Sequence, residues 1–236
     1  MVTFFKAALI GLYALLASPF SLALQAESCL VLPSRDVQLS SPVSGVALKK
    51  VAERGQRVSK GDVLLQLDDR QEFAALAVAK ARLDFAERRL ERNQTLLSQN
   101  ILADQEADEL ETERALAELE YKQARTLAGL KVIRAPIDGT VVAMEVDLGE
   151  YVGTDPILRL AQLDPVKASL VFRSEYLGQI RVGQAFDLKV QHSDKSAFGV
   201  VKLIDDLVDP SSGTFGVEIE LPNSDFSIVP GLRCSL

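Results

Sequence analysis

Residues 41–67 read SPVSGVALKKVAERGQRVSKGDVLLQL, and residues 135–160 read APIDGTVVAMEVDLGEYVGTDPILRL. The two stretches are copies of one pattern. Pro42 aligns with Pro136, Gly45 with Gly139, Gly55 with Gly149 and Val58 with Val152; after a one-residue deletion, Asp62 meets Asp155 and Leu67 meets Leu160. Short β-branched and Leu runs broken by Pro42, Gly45, Gly55 and Gly61 predict four short strands and tight turns over Val37–Leu67. A charged, Leu/Ala-rich stretch separates the copies, so the pattern predicts one small β-sandwich in two halves carrying a protruding helical arm.

The arm is read from a change of period. Leu76, Leu83, Leu90 and Leu97 recur in heptads, with Ala79, Ala86 and Asn93 three positions after the first three, which gives one helix face a narrow apolar seam. Neither Gly nor Pro interrupts residues 70–128, and Ser98-Gln99-Asn100 marks the turn. Asp104 then suits an N-cap, and Glu106, Asp108, Glu109 and Glu111 place acids in the early turns of a second helix. Ala107, Leu110, Ala117, Tyr121 and Ala124 form its matching stripe. With the turn near residue 101, an antiparallel pair sets Arg92 near Glu111 and Arg88 near the same acidic face.

Beyond the second copy, Val166–Arg173, Phe186–His192, Phe198–Leu203, Phe215–Leu221 and Leu232–Leu236 read as strands, and Ser174 as the cap of a short helix through Leu177. Alternation is clearest in Val217-Glu218-Ile219-Glu220-Leu221, as a half-buried antiparallel strand requires. This part is a second, all-β domain.

The 236 residues suffice for one or two domains with real cores, at 47% hydrophobic and 25% charged residues. Lys and Arg total 26 against 33 Asp and Glu, so no basic footprint for nucleic acid exists. At the amino terminus, Lys6 precedes the apolar run Ala7–Phe20 and the small-residue exit Ser21-Leu22-Ala23, then Gln25-Ala26. This signal-peptide pattern predicts export with cleavage after Ala23 or Ala26; the alternative is a retained amino-terminal anchor. Ala26-Glu27-Ser28 before Cys29 does not suit lipidation. Cys29 and Cys234 are the two cysteines; in an oxidising compartment they form either a disulfide, which constrains the unfolded chain by about 4 to 5 kcal/mol, or two separate buried thiols. With no CxxC and the single histidine His192, no redox or metal site is expected.

Taken together, the paired half-motifs with Arg134-Ala135-Pro136-Ile137-Asp138-Gly139, the order of elements, and the tail Val208-Asp209-Pro210, Leu221-Pro222-Asn223 and Val229-Pro230-Gly231-Leu232 resemble the periplasmic adaptor, or membrane fusion protein, family of tripartite efflux and secretion machines. The resemblance covers Val37–Leu236 and favours the resistance-nodulation-division type. It implies a mainly β chain: signal peptide (1–26), amino-terminal strand (27–36), first half of a split lipoyl-like sandwich (37–69), antiparallel coiled-coil hairpin (70–129), second half (130–162) and small antiparallel β-barrel (163–236). Cys29-Leu30-Val31-Leu32 then supplies a sixth barrel strand, bringing Cys29 towards Cys234. The resemblance further implies a periplasmic protein at the inner membrane, joining an inner-membrane transporter to an outer-membrane channel as a homo-oligomer, trimer or hexamer. A family pattern of Arg, three residues, Leu, six residues, Ser at the hairpin tip falls here on Arg92, Leu96 and Ala103, so the Ser is replaced. Leu96 is otherwise hairpin core and Arg92 a solvated partner of Glu111. Ending after the barrel, the chain reads as lacking the family's membrane-proximal domain.

Three rivals compete. A lipoyl or biotinyl carrier needs a modifiable Lys between its halves, where this chain has Leu67-Asp68-Asp69-Arg70. A hydrolase or metal enzyme finds no support, because Asp68-Asp69 and Asp205-Asp206 with Asp209 read as turn residues, and His192 lacks a Cys or Ser partner at a telling spacing. No catalysis, cofactor or metal is therefore expected. A non-catalytic coiled-coil spacer, or the adaptor of an ABC-type exporter, is the alternative to the efflux-pump adaptor.

Overall fold

The computed structural model describes residues 24–98, 104–192 and 196–236, with side chains at 94–98 and 104 excepted. The paired motif folds crosswise. Gly45 opens β2 (Gly45–Lys50) and Gly139 opens β6 (Gly139–Met144), while Val58 and Val152 sit in the two-residue strands β3 (Arg57–Val58) and β7 (Tyr151–Val152). Gly45 pairs with Val152, and Val58 with Gly139, so each half lends a strand to the other. The preceding turns need a left-handed residue, supplied by Gly55 at φ +86° and Gly149 at φ +84°. Between them β4 (Val63–Leu67) pairs with β2 and with β5 (Val132–Arg134). Leu67 and Leu160 are both fully buried in the sandwich core with Leu64, Val141 and Ala47.

Two long strands run from the sandwich into the second lobe, while β5, β4, β2 and β7 form a separate four-stranded sheet. β1 (Ser28–Ser40) and β8 (Pro156–Arg173) pair antiparallel from Ser28 opposite Val171 to Ser40 opposite Pro156. The short strands expected at Cys29–Leu32 and Val166–Arg173 are therefore the distal halves of longer ones. The physical reason is that Pro33 and Asp164-Pro165, which look like strand breakers, fall at a register shift between Pro33 and Arg35, where a missing N–H breaks no ladder bond.

The distal halves of β1 and β8 join β9 (Ala185–Val190), β10 (Ser196–Ile204), β11 (Thr214–Leu221) and β12 (Cys234–Ser235) in the order β12-β9-β10-β11-β8-β1. β11 alternates half-buried and buried residues throughout, and its Phe215, Val217, Ile219 and Leu221 point inward. The sheet curls until its two ends meet: Leu30 bridges Arg233, Val31 N–H donates to Leu232 O (2.9 Å), and Gly231 N–H donates to Val31 O (2.7 Å). Cys29 and Cys234, with Cα atoms 4.9 Å apart, are joined by a disulfide across this seam. Phe172 stacks on Phe215 and meets Tyr176 edge-on within the core. Tyr176 belongs to a single 3₁₀ turn, Ser174–Tyr176; contrary to expectation Ser174 is not its cap, since Arg173 holds that place without a side-chain bond.

Leu24 and Ala26 rest against this second core, and Glu27 N–H donates to Val171 O (2.8 Å). The expected signal peptide, residues 1–26, falls almost wholly on residues 1–23, which lie outside the described residues.

Candidate partner-binding site

The arm comprises α1 (Arg70–Ser98) and α2 (Asp104–Leu130), 29 and 27 residues long; at 1.5 Å per residue each reaches about 40 Å. Its base is fixed to the sandwich. Asp69 O accepts from Phe73 N–H (2.8 Å), and the half-buried Lys131 ammonium bridges Glu72 (3.2 Å) and Ser44 O (3.1 Å). Within Leu67-Asp68-Asp69-Arg70, the stretch where a carrier domain would need its lysine, Asp68 holds Arg70, whose guanidinium and backbone N–H lower the Asp68 carboxyl to about 2. The other acidic pairs also serve turns: Asp205 accepts from Gly216 N–H (3.0 Å) and Asp209 from Ser211 N–H (2.8 Å). Among the described residues no group of three His, Cys, Asp or Glu is placed to hold a metal, and no helix is long and apolar enough to cross a membrane.

The helices meet along the heptad seam. Ala79, Ala86, Leu110 and Ala117 are buried, and Leu76, Leu83, Leu90, Asn93, Tyr121 and Ala124 are half-buried. Small side chains at these positions allow close helix approach. Charged pairs then set the register along both flanks: Arg82 with Glu120 (3.1 Å), Arg89 with Glu113, and Arg114 with Glu87 (3.8 Å). These pairs set a register within a residue or two of the one expected, and Arg92 and Glu111 are both exposed. Each exposed pair contributes about 0.2 to 1 kcal/mol, enough to choose a register but not to hold the arm together.

Of the residues expected at the tip, Arg92 is exposed on α1. Leu96 belongs to α1 by its backbone, with its side chain outside the described residues, and Ala103 lies outside them altogether. What the heptad reading missed is an exposed apolar flank. Val78 (57% exposed) and Phe85 (52%) stand one heptad apart, outside the seam, and line a groove with Leu116 (58%) of α2, crossed by the Arg82–Glu120 pair. Arg92 continues their row one heptad further. A second apolar patch lies on the sandwich, where Val46, Leu48, Leu148 and Tyr151 are exposed around the β2–β7 pair. The signal that could have found the flank was present: large apolar residues at heptad spacing outside the seam have no intramolecular reason to recur.

Comparison with known proteins places this architecture. The chain is 27% identical over 215 residues to the antibiotic efflux pump periplasmic linker protein ArpA of Pseudomonas putida, covering 84% of this chain and 58% of the relative. It is 29% identical over 211 residues to the cobalt-zinc-cadmium resistance protein CzcB of Cupriavidus metallidurans, covering 80% of this chain and 40% of that protein. The chain thus spans only about half the length of these relatives. A crystal structure of a MacA-MexA chimeric protein, containing the Pseudomonas aeruginosa MexA α-hairpin domain, has the same fold with a TM-score of 0.76 at 21% identity, covering 89% of this chain and 78% of that one. Residues 35–168, more than half of the chain, match the family described as RND MFP, barrel-sandwich hybrid domain, and the chain therefore belongs to the membrane fusion protein family of the resistance-nodulation-division type.

Proposed function

We propose that this chain is the periplasmic adaptor of a tripartite efflux pump, linking an inner-membrane transporter to an outer-membrane channel for export of small molecules. The observation that carries this reading is the insertion of a two-helix arm between two halves of one sandwich, with a barrel-like lobe at the other end. Such a molecule has two separated ends. The sandwich is read as a split lipoyl-like domain over 37–69 and 130–162, the arm as an antiparallel coiled coil over 70–129, and residues 163–236 as a β-barrel. The leader directs the protein to the periplasm at the inner membrane.

In this mechanism the barrel end engages the transporter, the transporter supplies the energy, and the arm reaches towards the channel with Arg92, Leu96 and Ala103 near its tip. Several copies, a trimer or hexamer, stand side by side. Burying the flank of Val78, Phe85 and Leu116 between neighbours removes apolar surface from water at about 25 cal/mol per Å² and drives assembly. The chain performs no catalysis and carries no cofactor. Affinity purification of the chain from crosslinked membranes tests the proposal: an inner-membrane transporter should co-purify, and recovery of the adaptor without any transporter would count against it.

A further inference from the structure

We infer that Arg57 and Phe226 form a clasp that fixes the angle between the sandwich and the barrel-like lobe. The two lobes have separate cores with no residue in common. They are joined through β1 and β8, and both strands are irregular at the same level: the register shifts between Pro33 and Arg35, opposite the Leu163-Asp164-Pro165 segment. A ladder with missing rungs bends more easily than a regular one. The joint is therefore the place where an angle needs to be held.

The loop after β11 is bolted to that joint from the barrel side. Asn223 is 1% exposed, and its side-chain amide donates to Leu163 O (2.8 Å) and Ile228 O (2.9 Å), while its carbonyl oxygen accepts from Ile228 N–H (2.9 Å). Its backbone N–H donates to the Asp164 carboxylate (2.9 Å). Asn223 O in turn accepts from Phe226 N–H (2.9 Å), which closes a turn at Phe226.

Phe226 belongs to neither core. It adopts φ +56°, a left-handed conformation that bulky side chains rarely take. Asn or Gly would suit that backbone better, so the residue type answers to something other than the turn. The Arg57 guanidinium lies over the ring, 3.5 Å from its centre, in the geometry of a cation–π contact. Arg57 comes from the sandwich, on β3, where its neighbour Val58 is buried in the core and Arg57 pairs with Thr140 of β6. A cation carried on a strand of one lobe thus meets an aromatic ring carried on a loop of the other, beside the irregular joint.

On the adaptor reading, the clasp determines where the arm points relative to the transporter end; the clasp itself does not depend on that reading. The test is a distance measurement on purified protein with the native disulfide intact. Spin labels at Lys60→Cys in the sandwich and Lys189→Cys in the second lobe report the inter-lobe distance by pulsed electron resonance. One narrow distribution is expected for the labelled parent. Arg57→Ala and Phe226→Asn should each broaden it, and Phe226→Asn should do so without lowering the thermal midpoint, since Asn accepts the left-handed backbone. Arg57→Lys and Phe226→Tyr, which keep cation and ring, should leave it narrow. Broadening by neither alanine nor asparagine variant, or by only one of them, overturns the clasp. Because the measurement involves no pump, its failure leaves the adaptor proposal untouched, and a failed export assay leaves the clasp untouched.

Discussion

Cys29 and Cys234, 205 residues apart in sequence, are joined where the first and last strands of the chain's second lobe meet. The backbone seam there is thin, with one isolated bridge and the hydrogen bonds of Val31 and Gly231. The covalent link therefore carries much of the closure. For so long a loop, the chain-entropy model puts the stabilisation at about 5 kcal/mol. Cys29→Ser, Cys234→Ser or reduction should lower the thermal midpoint by about 10 °C. Intact mass with and without reductant checks the pairing, and a reduced pair in periplasm-purified protein would refute it.

A second prediction concerns Gly139, where the halves of the sandwich cross. A Cβ there would sit 2.7 Å from the carbonyl oxygen of Ala161, a backbone atom that cannot move aside without disturbing β8. Gly139→Ala should cost about 1 to 3 kcal/mol in urea denaturation. Gly153→Ala, with nothing within 4 Å of the added carbon, is the control and should be close to neutral.

The β1–β8 ladder also carries a pH-dependent pair. Hydrogen bonding from the Arg159 guanidinium holds the Asp36 carboxyl below its ordinary value. A folded-state value below the unfolded one means the pair stabilises above the ordinary aspartate range and loses that contribution as pH falls through the folded-state value. The pair is largely exposed, so the effect is under about 1 kcal/mol. Asp36→Asn should flatten the loss of stability below about pH 4 and leave the slope near neutrality unchanged; an unchanged acid limb would contradict the assignment.

Processing of the leader is expected to stop at Ala23. Leu24 and Ala26 rest on the core of the second lobe, and cleavage after Ala26 would strip both away. Mass spectrometry of the exported protein should find Leu24 as its first residue; Glu27 would contradict this.

The exposed arm flank makes a prediction about assembly. Phe85→Asp and Leu116→Glu should abolish export while leaving the isolated protein folded, because neither side chain belongs to the seam. Leu119→Ser, at an equally exposed position that does not line the groove, should export normally. Equal activity in all three variants would remove the flank from the mechanism.

Much of this architecture was legible because its signals are local. Paired glycines mark turns that need a left-handed residue, and heptad Leu and Ala positions mark a seam; both are set by a few neighbouring residues. The continuity of β1 and β8 was hidden, since Pro33 and Asp164-Pro165 read as breaks when seen singly and become a shared bulge only when the strands lie side by side. The helix register is legible to within a residue or two, Arg89 meeting Glu113 where the sequence sets Arg92 near Glu111, because a turn of unknown geometry leaves an antiparallel register open by about that much. The Arg57–Phe226 contact left no local trace at all, as it joins a two-residue strand to a distant loop of unrelated pattern.

In the proposed function, the arm and the two lobes act together as a conduit component. The most direct test is export in a strain lacking the gene, measured as resistance to a panel of toxic small molecules. The intact chain should restore resistance, and a variant with Arg70–Leu130 replaced by a short Gly/Ser loop, folded and exported, should not. Restoration by the armless variant, or a deletion with no effect on any compound, would contradict the account.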